Sequence, residues 1–354
     1  MRPIAALAPL ALILALAALA SPSQSQAQGV EEFYRGKQLS LVIGTSPGGD
    51  YDLRGRMLAR YMGKYIPGNP TIVPRNMPAG VGLQAANWLA TVAPKDGTSL
   101  HMVMQNMPMH QALGGQGVQF DAAKFNWVGN TTNSPNTVAT WHTTGVRTVA
   151  QARESEVILG APGTATSSVY YPMMMNALLG TKFRIIAGYP GGNDVNLAME
   201  RGEVGGRGSN SWASWVSTKP DWLKENKVHM IVQIGLARHP DMPDVPLLTE
   251  LATNEQDRAV LRFMSADTAF SRALATTPEV PPDRLDALRR AFDTALKDAD
   301  LVAESAKAQR DLSADRGEVV QQVVIDLIHT PPEVIERTKA ILAGAVTVEQ
   351  VKTP

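Results

Sequence analysis

Three glycine-bearing turns are the parts of this sequence whose residue types could do chemistry. They read TSPGGDYD (45–52), APGTATSS (161–168) and GYPGGND (188–194), and each lies between an apolar stretch and a helix-like stretch. Glycine lets backbone amides turn toward a ligand, and the start of a helix leaves unpaired N–H groups beside the positive end of its dipole. Such a turn binds an anion without a basic side chain. Each turn alone is also explained as a tight connection, but three in one chain favour an anion-binding role.

The anion at these turns is predicted to be a carboxylate rather than a phosphate. None of the turns has the Gly-Lys-Ser/Thr run of a nucleotide-binding P-loop. Two of them carry aspartates, Asp50, Asp52 and Asp194, which would repel a doubly charged phosphate. Hydroxyl groups at Thr164 and over 166–168 add hydrogen-bond donors. A carboxylate, held by hydroxyls or through a bound water, therefore fits the turns better.

The sequence offers little for catalysis or metal binding. The chain has no cysteine, and no two of its six histidines have a helical metal-ligand spacing. The G-x-S-x-G motif of serine hydrolases is absent from the sequence. We therefore predict no metal, no cofactor and no enzymatic activity. Trp212 and Trp215 can be interpreted in two ways, as a wall of the ligand pocket or as buried residues of a helix.

The N-terminal sequence predicts export. It reads MRPIAALAPLALILALAALASPSQSQAQG, with one arginine, a long apolar run and small residues near its polar end. This is typical of a secretory signal peptide over residues 1–27, cleaved after Ala27, and a membrane anchor is the alternative. With 33 basic and 33 acidic residues the chain has no net charge, so no nucleic-acid partner is expected. The mature protein is predicted to be soluble and periplasmic.

The elements around the turns predict an α/β fold. Over residues 36–103 the pattern is strand, helix, strand, helix, strand, which is typical of a parallel sheet covered by helices. Four prolines within 67–80 limit the strand there to a short or edge strand. A second set of strand–turn–helix units follows over 155–235, and the tail after Pro281 is mostly helical. The sequence therefore predicts two α/β domains.

Several segments together resemble a known family. They read YRGKQLSLVIGTSPGGDYDLRGRMLARYM, PGNPTIVPRNMPAGVGLQAANWLATVAPKDGTSL, GAPGTATSSVY, YPGGNDVNLAMERGEV, DVPLLTEL and TTPEVPPDRLDALRRAF. In this order they closely resemble the extracytoplasmic solute receptors of tripartite tricarboxylate transporters, also called Bug receptors. The resemblance implies a two-lobed type II periplasmic-binding fold, a Venus flytrap of two α/β domains with the ligand cleft between them. It also implies a small di-, tri- or aromatic carboxylic acid as ligand, and the two membrane subunits of a secondary transporter as partners.

The same resemblance implies how the chain is divided between the lobes and where the ligand binds. The first lobe is expected to be discontinuous, over 28–132 and 263–354, and the second lobe to span 133–262. One carboxylate group of the ligand would lie on the first-lobe turn and another on the second-lobe turn at 163–168. The predicted ligand-binding residues are Ser46, Gly48, Gly49, Asp50, Asp52, Gly163, Thr164, Thr166, Ser167, Ser168, Tyr189, Gly191, Asp194 and Trp212.

The sequence also departs from the family pattern, and this leaves the ligand open. Many members carry a histidine in the second-lobe turn, where this chain has Ser168, and the stretch 201–215 is more elaborate than a plain helix-to-strand passage. An aromatic wall at Trp212 or Trp215 would favour a bulkier or aromatic acid. Two other functions remain as alternatives, namely a carboxylate-binding partner of a sensor kinase and an exported hydrolase that uses Ser167 or Ser168.

Overall fold

The computed structural model describes residues 22–344 and 348–351 of the chain. Eleven strands lie in these residues and form two sheets of mixed direction. The strands are β1 Gln38–Ile43, β2 Thr71–Asn76, β3 Ser99–Val103, β4 Asn126–Asn130, β5 Asn136–Trp141, β6 Val157–Ala161, β7 Phe183–Ala187, β8 Gly206–Ser211, β9 Val228–Ile234, β10 Ala273–Thr276 and β11 Val348–Gln350. The predicted signal peptide falls outside the described residues over 1–21.

Helices cover both sheets. Those in the described residues are α1 Pro22–Tyr34, α2 Asp50–Met62, α3 Leu83–Thr91, α4 Met107–Ala112, α5 Val149–Glu154, α6 Ser167–Leu179, α7 Gly192–Glu200, α8 Trp212–Thr218, α9 Pro220–Lys224, α10 Glu255–Ser265, α11 Pro282–Ala295, α12 Ala299–Lys307, α13 Gly317–Ile328 and α14 Pro332–Gly344. Within 22–344 none of them is both long enough and apolar enough to cross a membrane.

The first sheet has the strand order β2-β1-β3-β10-β4. The predicted parallel arrangement is confirmed for its first three strands, because β1 runs parallel to both β2 and β3. The predicted edge strand is also confirmed, since β2 closes one end of the sheet, where Pro74 removes no hydrogen bond from a neighbouring strand. β10 differs from the prediction of a parallel sheet. It lies between β3 and β4 and runs antiparallel to both of them. At β10 the chain returns to the first sheet after forming strands of the second.

The second sheet has the order β11-β7-β6-β8-β5-β9. β6 pairs in parallel with β7 and β8, whereas β5 is antiparallel to β8 and β9. β11 pairs in parallel with β7. The last strand therefore lies in the second sheet, although residues 263–354 were expected in the first lobe. The lobe boundaries at 132 and 262 stay a prediction.

A single apolar cluster connects the two lobes. It includes Trp127 on β4, Leu159 on β6 and Met174 on α6, each with no exposed surface. Leu261 of α10, the helix that leads back toward the first lobe, is part of the same cluster. Full burial of a side chain of this size contributes about 1.5–3 kcal/mol. The lobes are thus joined by a packed core on one side as well as by their connecting segments.

Candidate functional site: the interlobe cleft

The three glycine-bearing turns meet at one cleft between the lobes. The first turn connects β1 to α2 in the first lobe, and the other two connect β6 to α6 and β7 to α7 in the second. β6 and β7 are parallel neighbours, so their carboxyl ends lie side by side and both following helices begin at the cleft. The local chemistry recognised in the sequence is therefore brought together by the sheet.

Eight of the predicted ligand-binding residues line the cleft, and they come from all three turns. They are Ser46, Gly49, Asp50, Thr166, Ser167, Ser168, Gly191 and Asp194. The residues before α6 and α7, Thr166 and Gly191, place no side-chain cap on the first turn of their helices. The N–H groups at these two helix starts therefore remain available to a ligand.

The other predicted residues lie beside the cleft rather than on its wall. Asp52 caps its own turn, since one carboxylate oxygen accepts from the Gly48 N–H at 2.9 Å and the other accepts from Arg56 at 2.9 Å. Trp212 is turned toward Asp241, to which its indole N–H donates at 3.1 Å. Gly48, Asp52, Gly163, Thr164, Tyr189 and Trp212 are outside the set of lining residues.

Asp50 is the most strongly paired charge at the cleft. Its carboxylate accepts from Arg54 Nε at 3.1 Å and from Arg272 Nε at 2.7 Å, and the carboxylate and both guanidinium groups are buried. Burial alone would raise the pKa of Asp50, but the two arginines outweigh this effect and lower the pKa to about 2. Asp50 is therefore ionised at any physiological pH and is neutralised from within the protein.

A second buried carboxylate, Asp267, lies behind the start of α6. It accepts hydrogen bonds from the Tyr171 hydroxyl at 2.6 Å and from Ser167 Oγ at 2.9 Å. Burial raises the pKa of Asp267 to about 6, although both hydrogen bonds act in the opposite direction. The Ser168 hydroxyl donates to the Ser209 carbonyl at 3.1 Å. The partners of these two serines are thus a carboxylate and a backbone carbonyl, which does not resemble a nucleophile paired with a histidine base.

Arg207 on β8 was not anticipated from the sequence. Its guanidinium lines the cleft and donates from Nη1 to the Gly192 carbonyl at 3.3 Å and to Asn196 Oδ1 at 3.2 Å. The Trp215 ring lies under it, 5.8 Å from ring centroid to the guanidinium carbon. Burial and the charge of Arg272 lower the pKa of Arg207, which remains cationic at neutral pH because arginine titrates far above it.

Polar groups from several other elements complete the cleft wall. The members that sequence reasoning missed include Tyr51, Gln105, Asn106, Asn136, Arg207, Ser209, Asn210, Ser211, Ser214 and Arg272. The sequence around Arg207 could have indicated its importance, because GRGSNS (206–211) contains one long side chain among glycines and small polar residues. Glycine inside a strand marks close approach of another backbone, and at Gly208 a Cβ would lie 2.0 Å from the Ser168 carbonyl oxygen at the start of α6.

The two lobes touch each other directly around the cleft. Ser46 Oγ donates to the Pro190 carbonyl at 3.0 Å, and Asn106 Nδ2 donates to the Ala165 carbonyl at 2.7 Å. Both bonds join a first-lobe side chain to a second-lobe turn. The structure is therefore a closed arrangement of the lobes. Within 22–344 and 348–351, no group of three or more histidines and carboxylates is placed to hold a metal ion.

Comparison with known proteins identifies relatives of this sequence and of its two-lobed fold. No family model matches the sequence. A curated protein of Cupriavidus necator, described as a UPF0065 protein in the gbd 5′ region, is 25% identical over 289 residues, which are 79% of this chain and 80% of that protein. The periplasmic binding protein BugD superposes with a TM-score of 0.67 at 17% identity, covering 90% of this chain and 100% of that chain.

A second solved structure is similar to this chain in fold. MatC from Rhodopseudomonas palustris with bound malate superposes with a TM-score of 0.64 at 21% identity, covering 86% of this chain and 99% of that chain. The fold is that of a two-lobed periplasmic binding protein. The resemblance to the Bug solute-binding proteins, first recognised in the sequence motifs, is confirmed by these comparisons.

Proposed function

We propose that this chain is an extracytoplasmic receptor that captures a small carboxylate in the interlobe cleft and delivers it to a membrane transporter. The observation that carries the proposal is the second-lobe wall of the cleft, where two uncapped helix starts and the Arg207 guanidinium converge. Such a surface favours an anion. The predicted residues that line the cleft are proposed as ligand contacts.

The similar proteins support this function. The solved structure of MatC is described with bound malate, a small carboxylate, and BugD is described as a periplasmic binding protein. The partner proposed for this chain is the pair of membrane subunits of a tripartite tricarboxylate-type transporter. The proposed compartment is the periplasm, reached through the signal peptide predicted over 1–27.

Capture would work through closure of the lobes. A ligand that contacts both walls stabilises the closed state relative to the open one by the difference in its binding energy to the two states. The direct contacts of Ser46 with Pro190 and of Asn106 with Ala165 form only when the lobes are close. A membrane partner that recognises this joined surface would distinguish loaded from empty receptor.

The test is a thermal-shift and calorimetric screen of residues 28–354 against organic acids, with the corresponding amides as uncharged controls. The protein is first unfolded and refolded to remove any ligand trapped during expression. A ligand at one hundred times its dissociation constant stabilises the folded state by about 2.7 kcal/mol. We expect stabilisation by acids and none by their amides. Stabilisation by neither, with no small acid released from the denatured protein, would contradict the proposal.

A further inference from the structure

We infer that the ligand carries a single negative charge, which Arg207 binds, and that the end of the ligand facing the first lobe is uncharged. This inference rests on the proposed receptor function and narrows its substrate class to monocarboxylates. It differs from what the malate-bound relative would suggest, because malate has two carboxylate groups.

The charges that line the cleft already cancel one another. Over the described residues the lining set contains two carboxylates, Asp50 and Asp194, and two guanidinium groups, Arg207 and Arg272. Behind the wall lie one further carboxylate, Asp267 on Ser167 Oγ, and one further guanidinium, Arg54 on Asp50, so the balance is unchanged. A dianionic ligand would add two negative charges to a site with no positive excess, and uncompensated buried charge is strongly unfavourable. A single carboxylate adds half that charge.

Of the two described cations that line the cleft, only Arg207, in the second lobe, has no carboxylate partner. Arg272 is paired with Asp50 at 2.7 Å. The hydrogen-bond partners of Arg207 among the described residues are a backbone carbonyl and an amide oxygen, both uncharged, and its Nε is buried without a partner. A carboxylate placed on Arg207 would supply both the missing acceptor and the missing countercharge.

A neighbouring amide points to the same subsite independently. Asn210, three residues further along β8, lines the cleft and is 6% exposed. Its Nδ2 is buried and has no hydrogen-bond partner in the described part of the chain. Buried donors of this kind are normally satisfied. An acceptor such as a carboxylate oxygen is therefore missing at the cleft wall that β8 forms with Arg207 and Asn210.

Among its described lining residues the first lobe offers no cation without a carboxylate partner, and its buried unpartnered groups, Thr45 Oγ1 and Gln105 Nε2, are uncharged. The first turn of α2 contains two acidic residues, Asp50 and Asp52, whereas that of α7 contains one, Asp194, and that of α6 contains none. The Gly48 N–H, in the turn before α2, already donates to Asp52. Asp50 and Asp52 thus already place negative charge at the positive end of the α2 dipole. A hydroxyl, amide or apolar end of the ligand fits this wall better than an anion.

The test compares each diacid with its monomethyl half-ester, which removes one charge and adds one methyl group. The probes are succinate and monomethyl succinate, adipate and monomethyl adipate, and terephthalate and monomethyl terephthalate, titrated at pH 8 into refolded protein. We expect the half-ester of the best-fitting pair to bind at least tenfold more tightly than its diacid. Equal or tighter binding of the diacid would overturn the charge assignment.

Variants locate the charged end. Arg207→Met keeps an unbranched stem that reaches to about the Nε position and removes the guanidinium charge. It is expected to lose at least about tenfold in affinity for the best half-ester, the loss typical of a hydrogen bond to a charged group. Arg207→Lys keeps the charge and should retain part of the affinity. Arg201→Met, at an exposed arginine, is the matched control. Unchanged affinity in a folded Arg207→Met variant would contradict the inference.

The two proposals fail in different ways. If no acid of either kind binds after refolding, the receptor function itself is contradicted, and the charge assignment falls with it. If a diacid binds best, the receptor function stands and only the assignment of a single charge is wrong.

Discussion

Arg272 donates from Nε to Asp50 at 2.7 Å, and this buried pair joins the segment that returns from the second lobe to the first helix at the cleft. The same guanidinium donates from Nη2 to Ser211 Oγ at the end of β8. One side chain therefore contacts a first-lobe helix and a second-lobe strand. Such an arrangement couples the position of the lobes to the state of the ion pair.

The pair predicts a large loss of stability for Asp50→Asn. The substitution leaves buried Arg272 without a carboxylate partner and leaves Arg54 with only the half-exposed Asp311. Removing one partner of a buried pair costs about 3–5 kcal/mol. Urea unfolding followed by circular dichroism measures this. Glu255→Gln, at a residue 85% exposed, should change stability by less than about 0.5 kcal/mol. Equal effects of the two substitutions would contradict the role given to Asp50.

Asp267 predicts a pH-dependent difference between wild type and Asp267→Asn. Its folded pKa of about 6 is above the usual value near 3.8, so protonation favours the folded state. The stabilisation is fully present below about pH 4 and is lost as the pH rises through 6. Wild type should lose about 3 kcal/mol relative to the variant between pH 3 and pH 7. Unfolding free energies measured at intervals over this range test it, and a constant difference would show that Asp267 is not perturbed.

A side chain at Gly163 is expected to block closure of the two lobes sterically. A Cβ added at Gly163 would lie 2.7 Å from Cγ2 of Val81, which belongs to the opposite lobe and has a strained φ of 51°. Gly163→Ala should therefore weaken ligand binding severalfold without a comparable loss of stability. Calorimetry measures the affinity, and X-ray scattering measures the opening.

A second substitution gives the control for that experiment. Val81→Gly removes the methyl group that the new Cβ would meet and also relieves the positive φ. Adding it to Gly163→Ala should restore most of the lost affinity. Failure of this rescue would mean that Gly163 acts in another way than through the contact with Val81.

The two tryptophans of α8 should behave differently. Trp215 is fully buried, donates to Thr137 Oγ1 at 2.9 Å and lies under the Arg207 guanidinium. We expect Trp215→Phe to lower affinity severalfold, because it changes the support of Arg207. Trp212→Phe, away from the lining residues, should leave affinity unchanged within about twofold.

A double variant separates positioning of Arg207 from a general loss of packing. If Trp215 acts on the ligand through Arg207, Trp215→Phe should lower affinity no further in a chain that already carries Arg207→Met. Calorimetric affinities of the four combinations provide this test. A full additional loss in the double variant would show that Trp215 affects binding by another route.

The turns could be predicted from the sequence because their chemistry is local. Glycines, an apolar strand before and an amphipathic helix after are all contained within about twenty residues, as around Ser46 and Ser167. The edge position of β2 was likewise predictable, because Pro74 has no backbone N–H to donate and is tolerated in a strand that has a neighbour on one side only. These features follow from backbone geometry alone.

The remaining features depend on contacts between distant parts of the chain. Arg207 is important because, among the described residues, it has no carboxylate partner, whereas Arg272 is paired with Asp50. The sequence does not reveal which carboxylate pairs with which arginine. β10 has four residues and becomes a strand only because β3 and β4 flank it. β11 was missed for the same reason, since its partner β7 is more than 150 positions away in the sequence.

The position of β11 has a consequence for how copies of this protein behave toward one another. By pairing with Ile185–Ala187, it satisfies outward-facing backbone groups over part of β7, which would otherwise end the second sheet. An uncovered strand of that kind is a template on which another chain can add. The second sheet thus ends in the short β11 instead of in β7, and so short an edge strand disfavours edge-to-edge aggregation.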